Sequence, residues 1–533
     1  MISRLALLFF LYLLIQGCAG EQKTNDNFLN DNTLPIPQKI ELFLNNDALM
    51  KTIFTQEESQ LLQNFYKERN YKPILYDENL TLTRSGQTLL QVLNQSLAFG
   101  VPTTCIGKFN KKAHPVKKDL MTVVNFARLI EFRDHGFTQS NGTLRKKSVC
   151  KDISALQKST SFSDFGVASN FVLARGPVED SVFRSLSNLI YAFAVQYKID
   201  TMDANPNDFK SEDERKAFMK ESLVSKGYLT SSNNTNEQMA SALLAFKLDN
   251  GLDSTIQIND YTMEALCESN HSRLTRAVVS LEKVRHRVKD QKKFVWVNIP
   301  EYHLYFYAND SLKAKHRVVV GKKSNETPEL ISEIRNVVIM PEWHVPASIV
   351  KKEIMPKVRK NHAYLSKNHY TLRKFNDTTP LDVESVNLKS NGFSVLQSPG
   401  KWNSLGVIKF EFNNNQSIYV HDTPQKGLFS RTVRSFSHGC IRCDKPIALG
   451  KTIIKYDQDG RKKYSMIGDT IDSLATIYKH RNIPLMKRIP IFVVYQTVTQ
   501  QRGKLVFHLD IYGRDQAILK KLAAESIHFN FSA

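Results

Sequence analysis

At Phe294 the pattern of the chain changes, and that break constrains the fold more than any other feature. Before it, apolar residues recur at helical spacing. After it, short runs of β-branched and aromatic residues alternate with turn signals. With 533 residues the chain is too long for a single hydrophobic core, so several domains are expected. Upstream, Leu61, Leu62, Phe65 and Tyr66 share a helical face. Thr83-Arg84-Ser85-Gly86 leads into a second helix with Leu89, Leu90, Val92 and Leu93, which Gly100-Val101-Pro102 ends. Phe183–Tyr197 is a further apolar stretch, whereas residues 105–165 are lysine-rich and carry no readable pattern. Residues 208–270 read as a small helical unit, with helices around Arg215–Leu223, Met239–Phe246 and Tyr261–Cys267.

Downstream, Phe294–Ile299, His303–Tyr307, Lys315–Val320 and Ile334–Met340 read as strands, with Asn309-Asp310 as a hairpin turn. Residues 347–400 are polar and partly helical, in the manner of an insertion. Strands resume at Gly406–Phe412 and Ser417–His421. Ile489–Thr497 and Lys504–Leu509 flank a hairpin at Gln501-Arg502-Gly503. The fold class is therefore α+β, with a mainly helical N-terminal half and a β-rich C-terminal block.

A hydrophobic content of 41% excludes a multi-span membrane protein. The net charge of +21 favours polyanionic surroundings. It is spread along the chain without zinc-finger spacing or a compact basic arm, so nucleic acid is not indicated and a solvated basic surface is expected. Arg4 precedes an apolar run, Leu5–Ile15, shorter than the ~18 residues a spanning helix needs. Ile15-Gln16-Gly17-Cys18 resembles a bacterial lipobox, which predicts a signal peptide over 1–17 and lipidation of Cys18; plain secretion and an uncleaved anchor are the alternatives. Residues 18–37 read as a tether. Of the six cysteines, Cys105 and Cys150 could bridge in an oxidising compartment, but pairing is not readable from sequence.

The chemistry concentrates where Ile418-Tyr419-Val420-His421 ends a strand and, fifteen residues later, Ser437-His438-Gly439-Cys440-Ile441-Arg442 follows. A thiol needs a base or a positive neighbour to act as a nucleophile, and histidine can serve as base and then as acid toward a leaving amine. Gly439 permits close backbone approach. Main-chain N–H groups around Gly439 and Cys440 could hold an oxyanion, and Arg442 could bind a substrate carboxylate through its fork. No metal-ligand cluster and no phosphate-binding glycine loop is evident.

This string resembles the signature of the L,D-transpeptidase catalytic domain, also called the YkuD domain. The likeness runs through residues 294–515, including Leu304–Tyr307, Arg317–Lys322, Thr327-Pro328, Pro341–Pro346, Leu428–Arg431 and Asp510–Asp515. The large YcbB-type branch is the most similar. It implies a helical scaffold domain at 38–207, a peptidoglycan-binding-like domain at 208–270, a linker helix at 271–293, and a catalytic domain at 294–520 with a capping subdomain inserted at 347–402. The resemblance implies Cys440 as nucleophile, His421 as general base, and His438 and Gly439 as catalytic neighbours. Arg442, Ser437 and Tyr419 are then substrate-binding residues. Peptidoglycan stem peptides are the implied partners, carbapenem-type compounds the inhibitors, and wall-anchored lipoproteins an alternative acceptor. No cofactor is implied, and the N-terminal lipid would place the chain in the periplasm on a bacterial membrane. A non-catalytic wall-binding scaffold, or a hydrolase or anchoring enzyme for wall-attached proteins, are the other readings.

Some positions depart from the pattern. His344 stands where Asn is usual. Cys443 replaces an aliphatic residue and gives Cys440-Ile441-Arg442-Cys443 the spacing of a redox dithiol, against which a simple buried Cys443 is the alternative. Asp422 could orient a histidine or cap the following turn.

Overall fold

The computed structural model describes residues 26–94, 96, 100–107, 112–138, 181–197, 199–200, 202–231, 234–286, 291–374, 379–387, 392–457, 465–477, 479–524 and 529. The signal-peptide reading, Cys18 and Cys150 lie outside them. The chain divides into two compact units. One holds the described residues up to Tyr191 with Val284–His286 and Leu522 onward; the other holds Ala192–Lys283 and Arg287–Lys521.

The first unit is helical. Thr55 opens the helix Gln56–Glu68 with a capping box to Glu58, and Leu61, Leu62, Phe65 and Tyr66 on one face are buried. The helix Pro115–His135 occupies the stretch that has no readable pattern. It is buried on most sides, by Val116, Leu120, Val124 and Leu129 and also by Asp119, Thr122 and Asn125. It therefore has no apolar stripe to reveal it. Asp119 is accommodated by the Tyr66 hydroxyl at 2.6 Å and the Ile74 and Leu75 N–H groups at 3.1 and 2.7 Å. Cys105 is disulfide-bonded.

The second unit begins with helices Glu212–Ser225, Asn236–Asp249 and Asp260–Cys267, the first two opened by capping boxes at Ser211 and Thr235. Leu223, Leu243, Phe246 and Leu266 form their core. The buried Lys247 ammonium binds Asp253 at 2.7 Å and the Thr255 and Gln257 carbonyls at 2.9 Å. Asp253 also accepts from Asn259 and Thr432. The loop after Gly251 thus uses its charge in packing.

The rest of the unit is built on one nine-stranded sheet. Its strands are β1 Lys293–Asn298, β2 His303–Ala308, β3 Ser311–Gly321, β4 Leu330–Ile339, β9 Ile408–Phe412, β10 Val420–His421, β11 Ser435–Ser437, β12 Ile441–Cys443 and β13 Arg481–Val494. The order β3-β12-β10-β9-β4-β13-β1-β2 returns to β3 through the β2–β3 pair, so the sheet closes on itself. The β2–β3 turn is made by Asn309 and Asp310, both at positive φ (49° and 54°). Inside, Val297, Leu304, Phe306, Val318, Val337, Phe410, Ile441 and Ile491 are buried together. The strand expected to run to Thr497 stops at Val494 because the next N–H groups are taken by side chains: Tyr495 donates to Glu329 and Gln496 to Asn298. A hairpin of β14 Val498–Gln501 and β15 Lys504–Phe507 follows.

Between β4 and β9 lies a subdomain with its own sheet, β5 Trp343–His344, β6 Tyr370–Lys374, β7 Pro380–Leu381 and β8 Phe393–Gln397, in the order β5-β8-β6-β7. It has a separate core of Ile354, Met355, Val358, Leu372 and Val395. Tyr419 packs against both this core and that of the barrel.

Candidate active site

Alternation along the strand leading into β10 sorts the side chains. Ile418 and Val420 enter the barrel core, which leaves Tyr419 and His421 on the opposite face. Their rings lie 5.7 Å apart. Val420 pairs with Ile441 and His421 with Arg442 across β10 and β12, so Cys440 arrives level with Tyr419.

The turn before Cys440 is pinned by hydroxyls. β11 and β12 flank β3, and the chain passes from one to the other through His438, Gly439 and Cys440. Gly439 takes φ +114°, where a side chain is strained, and a Cβ there would sit 3.1 Å from Ile418. Ser437 Oγ accepts from the Gly439 N–H at 3.1 Å and donates to the Cys440 carbonyl at 2.5 Å. Thr327 Oγ1 donates to the Gly439 carbonyl and accepts from the Gly321 N–H, both at 2.8 Å. The Tyr512 hydroxyl donates to the Gly321 carbonyl at 2.6 Å and accepts from the Thr327 N–H at 3.2 Å.

Two expectations change here. Ser437, expected to touch substrate, is buried with its hydroxyl occupied on both sides, so its place is to hold the turn. The Gly439 N–H is likewise engaged. The Cys440 N–H makes no hydrogen bond among the described residues, and the Tyr419 N–H also lies beside the sulfur.

Cys440 and Cys443 are both free. Cys443 faces the barrel core, fully buried, so the two thiols do not form a surface dithiol. Burial pushes the Cys440 thiol up to about 11, against the pull of Tyr419, Arg442 and Lys409. The thiol donates to the Ser417 carbonyl at 3.6 Å. His421 is pushed down to about 3, first by burial and then by the Arg442 charge. Its Nδ1 is enclosed and makes no hydrogen bond, although main-chain groups of Asp422 and Leu405 act on it. Burial thus disfavours the charged form of both groups, and so favours a neutral thiol and a neutral imidazole over an ion pair.

Asp422 does not orient a histidine through its side chain. It accepts from the Val407 N–H at 3.0 Å and pairs with Lys426. His438 is exposed beside the thiol turn, and its Nε2 meets Glu353 Oε1 of the inserted subdomain at 2.5 Å. Glu353 sits in the π-helical turn Val350–Ile354, where Pro356, lacking an N–H, interrupts the regular ladder. Arg442 donates to Gln425 Oε1 at 2.6 Å. His344 is exposed on β5, 4.0 Å from Glu342. No group of His, Cys, Asp and Glu able to hold a metal occurs among the described residues.

Sequence reasoning misses Thr327, Tyr512 and Glu353 as parts of this site. Thr327 and Tyr512 fall in segments that carry the family resemblance but show no chemistry of their own. Glu353, in Val350-Lys351-Lys352-Glu353, reads as an ordinary surface charge.

Comparison with known proteins bears on the domain that holds this site. Residues 292–455 match the model of the YkuD family, described as the L,D-transpeptidase catalytic domain. A Haemophilus influenzae protein named "Putative L,D-transpeptidase" is 30% identical over 256 residues, which cover 47% of this chain and 50% of that one. The match thus spans about half the length of that relative. Among solved structures, an L,D-transpeptidase from Mycobacterium smegmatis is 11% identical, with 38% of this chain and 58% of that one covered and a TM-score of 0.17. L,D-transpeptidase 1 of Mycobacterium tuberculosis is 12% identical, with 38% and 61% covered and a TM-score of 0.15. The match to the L,D-transpeptidase catalytic domain thus covers residues 292–455, which hold both His421 and Cys440.

Proposed function

We propose that this chain is an exported L,D-transpeptidase of peptidoglycan in which Cys440 is the nucleophile and His421 the general base. The observation that carries the reading is the register that sets Cys440, on its hydroxyl-pinned turn, level with the strand that ends in His421, within the matched domain. In the resting state the thiol points to Ser417. When substrate binds, the thiol turns to His421, which takes its proton as the sulfur attacks the carbonyl after the third residue of a tetrapeptide stem. The Cys440 N–H stabilises the oxyanion. The C–N bond to the terminal D-alanine breaks, and His421 returns the proton to the departing amine. The thioester is then attacked by the side-chain amine of another stem, His421 accepts that proton, and the thiol is restored with a 3→3 crosslink formed. The thioester conserves the energy of the cleaved peptide bond, so no nucleotide is needed.

Water as acceptor would make the same site a carboxypeptidase, and a protein amine would make it an anchoring enzyme. Carbapenem-type compounds acylate Cys440 on this account. The first unit acts as scaffold and the three-helix unit as a wall-binding-like domain. Cys18 carries a lipid that holds the chain to a bacterial membrane, and the disulfide at Cys105 supports an oxidising compartment. The test is incubation of the protein, begun at Cys18, with purified tetrapeptide muropeptides beside Cys440→Ala, read by mass spectrometry. Thiol-dependent loss of D-alanine with crosslinked dimers is expected. Wall binding with no thiol-dependent product would leave the scaffold reading in its place.

A further inference from the structure

A cleft of about 520 Å³ opens beside the thiol turn, lined by Arg335, Asn336, Lys409, Glu411, Ser417 and Tyr419 among others. Arg335 enters it through an irregularity in the sheet. Ile334 pairs with Phe412 and Asn336 with Glu411 across β4 and β9, which leaves Arg335 as an extra, unpaired residue between them. The register also slips on the β13 side at this level. Bulges of this kind re-aim a side chain, and they are over-represented next to active sites.

Arg335 has its Nε buried without a partner, and among the described residues it makes no hydrogen bond or ion pair. The neighbouring charges cancel without it: Lys409 pairs with Glu411 at 2.6 Å, and Glu411 also accepts from Asn336 at 3.2 Å. The Lys409 ammonium lies 5.3 Å from the Tyr419 ring centre. The cleft therefore carries one net positive charge, on a guanidinium whose planar fork is free. A guanidinium partly removed from water without a partner is costly, and a planar carboxylate completes it with two parallel hydrogen bonds. The cleft also adjoins the chemistry. Its wall includes Ser417, whose carbonyl accepts from the Cys440 thiol at 3.6 Å, and Tyr419, which touches both Cys440 and His421. Arg442, the carboxylate binder expected from sequence, instead has one guanidinium nitrogen tied to Gln425.

We infer that Arg335 is the floor of a carboxylate subsite, which holds a carboxylate of the stem peptide while its carbonyl faces Cys440. This rests on the proposed transpeptidase reading and adds a specificity determinant to it. The stem offers two sources, the terminal D-alanine carboxylate and any side-chain carboxylate on its third residue.

The experiment uses the full chain with Cys440→Ala, so that stems bind without turnover. Fluorescently labelled tetrapeptide stem is titrated in three forms: unmodified, amidated at the terminus, and amidated at the third side chain. Each is repeated with Arg335→Gln and Arg335→Lys added. One amidated form is expected to bind on the order of tenfold or more weakly than the unmodified stem, and Arg335→Gln should erase that gap. Arg335→Lys, which keeps the charge and loses the fork, should retain part of it. Which form weakens identifies the source. A gap that survives Arg335→Gln overturns the inference, as does equal binding of all three forms or no binding of any. Near-UV circular dichroism of each variant separates a lost subsite from a lost fold. Turnover by the intact Cys440 protein tests the transpeptidase reading separately, so the two can fail independently.

Discussion

The neutral resting pair makes a quantitative prediction about the thiol itself. Its ordinary value of 9.0 is raised to about 11 by burial. Two units correspond to about a hundredfold less thiolate at any pH well below 9. Alkylation by iodoacetamide, read by mass spectrometry on the peptide that carries Cys440, measures this; of the other free cysteines among the described residues, Cys443 is fully buried and Cys267 nearly so. The rate at Cys440 should be on the order of a hundredfold below that of an unhindered thiol at pH 7.5, and should climb about tenfold per pH unit until it approaches 11. Lys409→Gln removes one of the charges that favour the thiolate, and should slow alkylation further. A fast, flat rate from pH 5 to 8 is the signature of a preformed thiolate–imidazolium pair. That result would refute the assignment of both protonation states.

Other perturbations test the surroundings of the thiol. Thr327→Val removes the hydroxyl that joins the Gly439 carbonyl to the Gly321 N–H, and should cost about 2 kcal/mol in a urea titration while lowering kcat; unchanged values would mean the turn is held elsewhere. Glu353→Gln preserves shape but loses the charge-assisted bond to His438, and should lower kcat about tenfold in D-alanine release; wild-type kinetics would make that link incidental. The full chain should lose stability in acid. His421 and His508 are buried and pushed down to about 3 from 6.5, so their contribution is complete above pH 6.5 and lost as pH falls toward 3. At pH 5 the unfolded chain binds protons that the folded one refuses, at about 2 kcal/mol for each histidine. Equal urea midpoints at pH 7.5 and 5 would contradict this.

The sequence makes the α+β division legible, because helical spacing and strand alternation are local patterns. The Asn309-Asp310 turn is readable for the same reason, since positive φ at both positions selects those residue types. The helix Pro115–His135 is not, because burial on most sides erases the stripe that marks an amphipathic helix. Cys440 and His421 stand out because the motif fixes their spacing in the chain. Arg335 and Glu353 do not, for two different reasons. Arg335 depends on a bulge that only strand pairing creates. Glu353 reaches His438 from a separate subdomain, 85 residues away in sequence. Ser437 shows the converse: a residue inside the motif whose hydroxyl faces its own backbone rather than the cleft.

The most direct test of the central claim is the intact mass of the protein, quenched seconds after mixing with a tetrapeptide stem and no acceptor. The account predicts an adduct equal to the stem less its D-alanine, labile to hydroxylamine, mapping to Cys440 and absent from Cys440→Ala. D-alanine release with no adduct on Cys440, or with one on another residue, would contradict it.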